Sequence, residues 1–187
     1  DVQTTYDAWV ASVGGSTFSD NCALSSELGV VDTAPANAPV LTGNQCTATN
    51  TVLFRVADPC GNLSEAVSAD FTVTDSNAPN FTAFPLDQTE QCGSGNSAAY
   101  TSWRNSRAGA TATDACSSVI FSNDGPQSFS LTTGDCIDSV FVTFTASDPC
   151  GNAVSAAATF TIVDNTAPSF SQQAVDETSE CNSVAFE

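Results

Sequence analysis

Eight cysteines, 21 carboxylates and no histidine bound the chemistry open to this chain of 187 residues. A serine or cysteine nucleophile works through an imidazole base, and the chain has none to supply. Zinc sites draw on histidine or on Cys-x-x-Cys pairs, and neither occurs. An even number of widely spaced cysteines reads instead as disulfides, and so as an oxidising, extracellular setting. Paired carboxylates can hydrolyse glycosidic bonds. Here, however, the acids recur at turns and linkers with no single pair set apart, and there is no glycine-rich phosphate loop. The expected protein is not an enzyme.

The acids are balanced only by Arg55, Arg104 and Arg107, leaving a net charge of -18. That charge repels nucleic acid and anionic membrane surfaces and attracts cations. Two readings of it stand, a solvated acidic surface and specific calcium sites. Hydrophobic residues make up 41% of the chain, enough for real cores, but no apolar run of about 18 residues could span a bilayer. The opening "DVQTTYDAWV" is polar and has no signal-peptide pattern, so mature or excised material is expected.

The elements that position these side chains come twice. "YDAWVASVGGSTFSDNC" (6–22) and "YTSWRNSRAGATATDAC" (100–116) align without a gap. Cys46 answers to Cys136 and Cys60 to Cys150, the latter pair inside "ADPCGN" and "SDPCGN". Asp-x-x-Ala-Pro-x-Phe follows at 75–81 and 164–170, and "LDQTEQC" (86–92) is echoed by "VDETSEC" (175–181). The chain reads as a tandem repeat with a period close to ninety residues. The expected units are 1–80, a repeat lacking its first strand; 81–170, a complete repeat; and 171–187, the first strand of a following repeat or a donated strand.

Within each repeat apolar residues alternate with polar ones. Val140, Val142, Phe144 and Ala146 do so, then Ala158, Phe160 and Ile162; Val52, Phe54 and Val56, then Ala69, Phe71 and Val73, hold the same places in the first repeat. Such alternation, bounded by Gly, Asn, Asp and Pro, predicts half-buried antiparallel strands. Several of them in ninety residues predict an all-β fold of tandem immunoglobulin-like sandwiches, with "DPCGN" turning between the last two strands. Tyr100 and Trp103, three apart after a possible Asn or Ser cap and before Gly109, predict one short helix per repeat, as do Tyr6 and Trp9. These aromatics read as core, with a sugar-binding platform as the functional alternative.

"VTFTASDPCGN…ATFTIVDNTAPSF", with "GATATDAC" upstream, resembles the hyalin-repeat-like, immunoglobulin-like modules of giant surface adhesins, abundant in marine Bacteroidetes and including proteins of the gliding-adhesin type. The likeness covers essentially the whole chain. It implies a structural or adhesive module of an extracellular, cell-surface fibre whose partners are neighbouring repeats or copies of itself. A carbohydrate-recognition module binding surface glycans is the alternative. "NLS" at 62–64 and "NFT" at 80–82 are glycosylation sequons, meaningful in a eukaryotic product.

In an immunoglobulin-like path the loop entered by "TDAC" lies at the same end as "SDPCGN". Disulfides are therefore expected between Cys116 and Cys150 and between Cys22 and Cys60. Cys92 closes the first strand and Cys136 opens the penultimate one at the other end, so these should pair. That leaves Cys46 and Cys181, which a strand donated to the next molecule would join; a window cut from a longer repeat protein is the other reading. Calcium is the expected cofactor. Asp75 and Asn77 of the phrase between repeats would meet Asp114, Asp148 and Asn152 from the loops of the second sandwich. Simple turn chemistry by the same Asp and Asn side chains is the alternative.

Overall fold

The computed structural model describes residues 1–43, 45–132 and 134–178. In chain order the elements are α1 (Val2–Ala11), β1 (Gly29–Asp32), β2 (Thr47–Ala57), β3 (Val67–Thr74), β4 (Asn80–Ala83), β5 (Gln88–Gln91), α2 (Asn96–Asn105), β6 (Thr111–Thr113), β7 (Ile120–Asn123), β8 (Ile137–Ser147) and β9 (Ala153–Val163). The fold is an all-β sandwich with one short helix in each half of the chain.

The N-terminal half holds an antiparallel sheet in the order β1-β2-β3. The C-terminal half holds a four-stranded sheet, β5-β9-β8-β7, and a two-stranded one, β4-β6. β8 and β9 pair antiparallel over their whole length, from Ile137↔Val163 to Ser147↔Ala153. The expected alternation is visible in their burial: Val142, Phe144 and Ala146 point inward from β8, and Ala158, Phe160 and Ile162 from β9. One pairing departs from the all-antiparallel expectation, since β5 runs parallel to β9. A hairpin would force β5 antiparallel. It connects to the rest through α2 instead, and a longer connection leaves the parallel direction open.

Each helix seats its aromatic pair against a hairpin. In the C-terminal half Tyr100 and Trp103 pack edge-on against Phe160 and Phe144, with centroids at 5.5 and 5.6 Å. The Tyr100 hydroxyl donates to the Pro126 carbonyl at 2.9 Å and the Trp103 indole N–H to the Leu86 carbonyl at 2.9 Å. Both polar handles are thus satisfied inside the core. In the N-terminal half Trp9 packs against Phe54 and Phe71, and Tyr6 donates to the Pro35 carbonyl at 3.0 Å. Tyr6, Tyr100 and Trp103 are core residues that present no platform to solvent, and Trp9 is half-buried against the N-terminal core.

The helix caps differ between halves. Asp1 caps α1 by accepting from the Thr4 amide at 2.8 Å. The Asn or Ser cap expected for α2 is not made, because Gly95 holds the cap position. Asn96 turns back instead, accepting from the Gly93 amide and donating to the Gln91 carbonyl at 3.0 Å, which ties α2 to the end of β5.

Candidate cation site and disulfide at the junction

The loop between β8 and β9 is built around one carboxylate. Asp148 Oδ1 accepts from the amides of Cys150 and Asn152 at 2.8 and 2.9 Å, and its Oδ2 accepts from Asn152 Nδ2 at 2.8 Å. Gly151 completes the turn at φ +90°, where a Cβ would be strained. Asp58 organises the β2–β3 loop in the same way, accepting from the amides of Cys60 and Asn62. After β6, Asp114 accepts from the amides of Cys116 and Ser117 at 2.8 and 2.9 Å and from the Ser117 hydroxyl at 3.1 Å. Asp20 does likewise for Cys22 and Ala23.

Asp75 enters from the N-terminal half. It follows β3, its amide donates to the Cys46 carbonyl at 2.9 Å, and its backbone carbonyl accepts from Asn152 Nδ2 at 3.4 Å. The residue is buried, and although Oδ1 accepts from the Asn77 amide at 3.3 Å, Oδ2 has no partner. One ligating atom each of Asp75, Asp114 and Cys116 lies within 4.8 Å of the others, and the same holds for Asp75, Asp148 and Cys150. A disulfide closes the junction, joining Cys46 at the foot of β2 to Cys150 in the β8–β9 loop, 104 residues away.

The electrostatics favour oxygen ligands. Burial pushes Asp148 up, but the Asn152 side chain and the amides of Asn152, Cys150 and Gly151 outweigh it and hold the carboxyl below its ordinary range. Burial, together with the Asp75 and Asp114 carboxylates, pushes the Cys116 thiol up, so it stays protonated at neutral pH and is a poor metal ligand. Cys150 is spent in the disulfide. The carboxylates that remain form two pairs sharing Asp75, one with Asp114 and one with Asp148, and a buried, unpartnered Asp75 oxygen suits a hard cation. Asn77 is exposed and contributes its backbone amide to Asp75; Asn152 bridges Asp148 and the Asp75 carbonyl.

The expected disulfides are corrected by this arrangement. Cys150 bonds to Cys46, so Cys116 is an exposed thiol rather than its partner, and Cys46 is not available to Cys181. The loops of Cys116 and Cys150 do share one end of the sandwich. What sequence reasoning missed is a third cysteine arriving from the other half. The signal was present: Thr47 pairs with Thr74, so whatever places Asp75 at the junction places Cys46 there too. Cys92 and Cys136 are both exposed thiols. They flank the same end of β9, with Gln91 and Ile137 both opposite Val163. A whole strand lies between them, a gap of about 10 Å against a disulfide limit of about 7 Å between Cα atoms. Cys22 and Cys60 are exposed thiols as well, and Cys181 lies outside the described residues.

No protein-family model matches the chain, and no curated protein does. Among solved structures, the human protocadherin-24 EC1-2 fragment matches over 75% of this chain and 83% of its own, at 14% identity and a TM-score of 0.30. So loose a superposition transfers no property of that protein. Among the described residues no helix is long and apolar enough to cross a membrane.

Proposed function

We propose that this chain is a structural, non-catalytic module of an extracellular surface fibre, built of tandem sandwich units whose junction is locked by a disulfide and stiffened by calcium. The observation that carries this reading is the junction itself. A covalent bond between Cys46 and Cys150 ties the foot of one sheet to the top of the next, and Asp75, buried with one carboxylate oxygen unpartnered, lies within 4.8 Å of a ligating atom of Asp114 in one group and of Asp148 in another. A module whose work is to transmit force needs a fixed angle between units, and both devices supply one. Disulfides persist in oxidising compartments, which accords with surface display. The resemblance to hyalin-repeat-like adhesin modules points the same way. The glycan-binding alternative draws no support from Tyr6, Tyr100 and Trp103, which are spent in the cores.

Calcium would be held by Asp75 together with Asp114 or Asp148, with affinity expected near 10⁻⁴–10⁻³ M, as for extracellular modules. Calorimetry on the intact chain should show one such site, and Asp75→Asn should weaken it at least tenfold with the far-UV spectrum unchanged. Small-angle scattering should report one extended shape with calcium and a broadened distribution in chelator plus reductant. The reading is overturned if millimolar calcium gives no heat and scattering is indifferent to both reagents.

A further inference from the structure

What the junction buries, the corresponding residues elsewhere in the described chain expose. Asp75 and Pro79 are buried, whereas Asp164 and Pro168, at the same places after β9, are exposed. Cys46 is half-buried and bonded, whereas Cys136 is an exposed thiol. At the other end Asp148 is buried and Cys150 bonded, while Asp58 is half-buried and Cys60 an exposed thiol. Local geometry is nevertheless preformed at both ends. The Asp164 amide donates to the Cys136 carbonyl at 2.8 Å, as Asp75 does to Cys46 at 2.9 Å, and Asp164 Oδ1 accepts from Thr166 as Asp75 Oδ1 does from Asn77. Asp58 and Asp20 hold their cysteine loops in the turns that Asp148 and Asp114 adopt.

The strand edges match in the same sense. β4 pairs with β6 through Asn80↔Thr113 and Phe81↔Ala112, and Phe81 packs on Phe121 at 6.2 Å. The segment in the place of β6 in the N-terminal half, Thr17–Ser19, has no strand partner among the described residues. It lines a cleft of about 440 Å³ whose apolar wall includes Phe18, Leu28, Phe54, Val56 and Leu63. At the opposite pole Phe170, which stands where Phe81 stands, is 93% exposed. Ala69, Phe71 and Val73 of β3 are only half-buried, whereas Ala158, Phe160 and Ile162 of β9, flanked by β5, are buried.

We infer that the cleft beside Thr17–Ser19 is the docking surface for a second copy of this chain, whose residues 164–175 enter it as Asp75–Leu86 enter the C-terminal half. Phe170 of the donor fills the cleft and its Cys136 faces the acceptor's Cys60, reproducing the Cys46–Cys150 junction between molecules. Donor and acceptor surfaces differ, so the contact is heterologous and open-ended. The covalent lock forms by exchange with a small-molecule disulfide such as oxidised glutathione. One protein thiolate displaces one glutathione thiol to give a mixed disulfide, and the second protein thiolate displaces the other. Two protein thiols and one glutathione disulfide become one protein disulfide and two glutathione thiols.

This rests on the fibre reading, but its test reads contacts between copies rather than stiffness within one. The intact chain, incubated with calcium and oxidised glutathione, should give a non-reducing ladder of chains with a Cys60–Cys136 cross-linked peptide. Cys60→Ser or Cys136→Ser alone should abolish that ladder, while an equimolar mixture of the two should stop at a dimer. Phe170→Ala should slow ladder formation several-fold. A chain that stays monomeric, cross-links through other cysteines, or ladders that survive either substitution would overturn the docking surface. A monomer that still showed calcium binding and a stiff junction would leave the fibre reading standing.

Discussion

At Gly125 the backbone runs so close to the core that a methyl group has nowhere to go. A Cβ there would stand 2.7 Å from the Tyr100 hydroxyl and 3.0 and 3.1 Å from the Val142 methyls. Tyr100 cannot yield easily, since its hydroxyl is held by the neighbouring Pro126 carbonyl and its ring by Phe129 and Phe160. Gly125→Ala should therefore cost roughly 1–3 kcal/mol, visible as a shifted urea midpoint of the C-terminal half with an unchanged slope. A variant as stable as the wild type would mean that the 123–127 loop moves aside freely. The same packing makes the Tyr-x-x-Trp pair a core device rather than a binding platform. The rings meet the two paired strands β8 and β9, and their polar tips find carbonyls within the fold.

Among the elements, the Asp-Pro-Cys-Gly-Asn loops show how one short phrase serves structure and site together. Their aspartates hold the turn by accepting backbone amides, and for Asp148 this leaves the carboxyl pKa below its ordinary 3.8. A pKa lowered on folding contributes stability that is complete above the unfolded value and is lost as pH falls through the folded one. In chelator, to remove any metal contribution, the melting temperature of the wild type should exceed that of Asp148→Asn by a steady margin from pH 5 to 8. That margin should close as pH falls below 3.8. Differential scanning calorimetry across this range checks it, and a margin that widened in acid would contradict the loop's assigned chemistry. The thiol of Cys116 is shifted in the other direction: burial and the neighbouring Asp75 and Asp114 carboxylates raise it, which lowers the thiolate fraction available for exchange.

For the whole molecule, the Cys46–Cys150 bond decides what happens under tension. Force applied at the two ends passes from Cys46 directly to Cys150 and bypasses the 104-residue span between them, which contains both long hairpin strands β2 and β8. Reduction returns that span to the load path. Single-molecule pulling should then show a contour length longer by roughly 350 Å in reductant, 104 residues at about 3.4 Å each. Cys46→Ser should show the longer contour without reductant. An oxidised wild-type chain that already extends fully would show that the bond does not bear load. The net charge of -18 belongs to this scale too: it repels copies at a distance, so calcium at the junctions and screening in salty medium would both favour end-to-end contact.

Local pattern determined a good deal of this molecule. Two-residue alternation in 140–146 and 158–162 set β8 and β9, since only one phase of a strand can face a core. The spacing of Tyr100 and Trp103 set a helix and its buried face. The repeated Asp-x-x-Ala-Pro phrase placed Asp75 opposite the loops of Asp114 and Asp148, because a linker of fixed length leaves little choice of neighbour. Tertiary structure alone decided the rest. The parallel direction of β5 depends on where α2 sends the chain back, which alternation cannot express. The partner of Cys150 depends on which cysteine the packing of two halves brings within bonding distance. Three cysteines gather at that end, and an immunoglobulin-like path within one repeat names only Cys116 and Cys150, whereas a disulfide forms by distance in space and takes Cys46 from the other half.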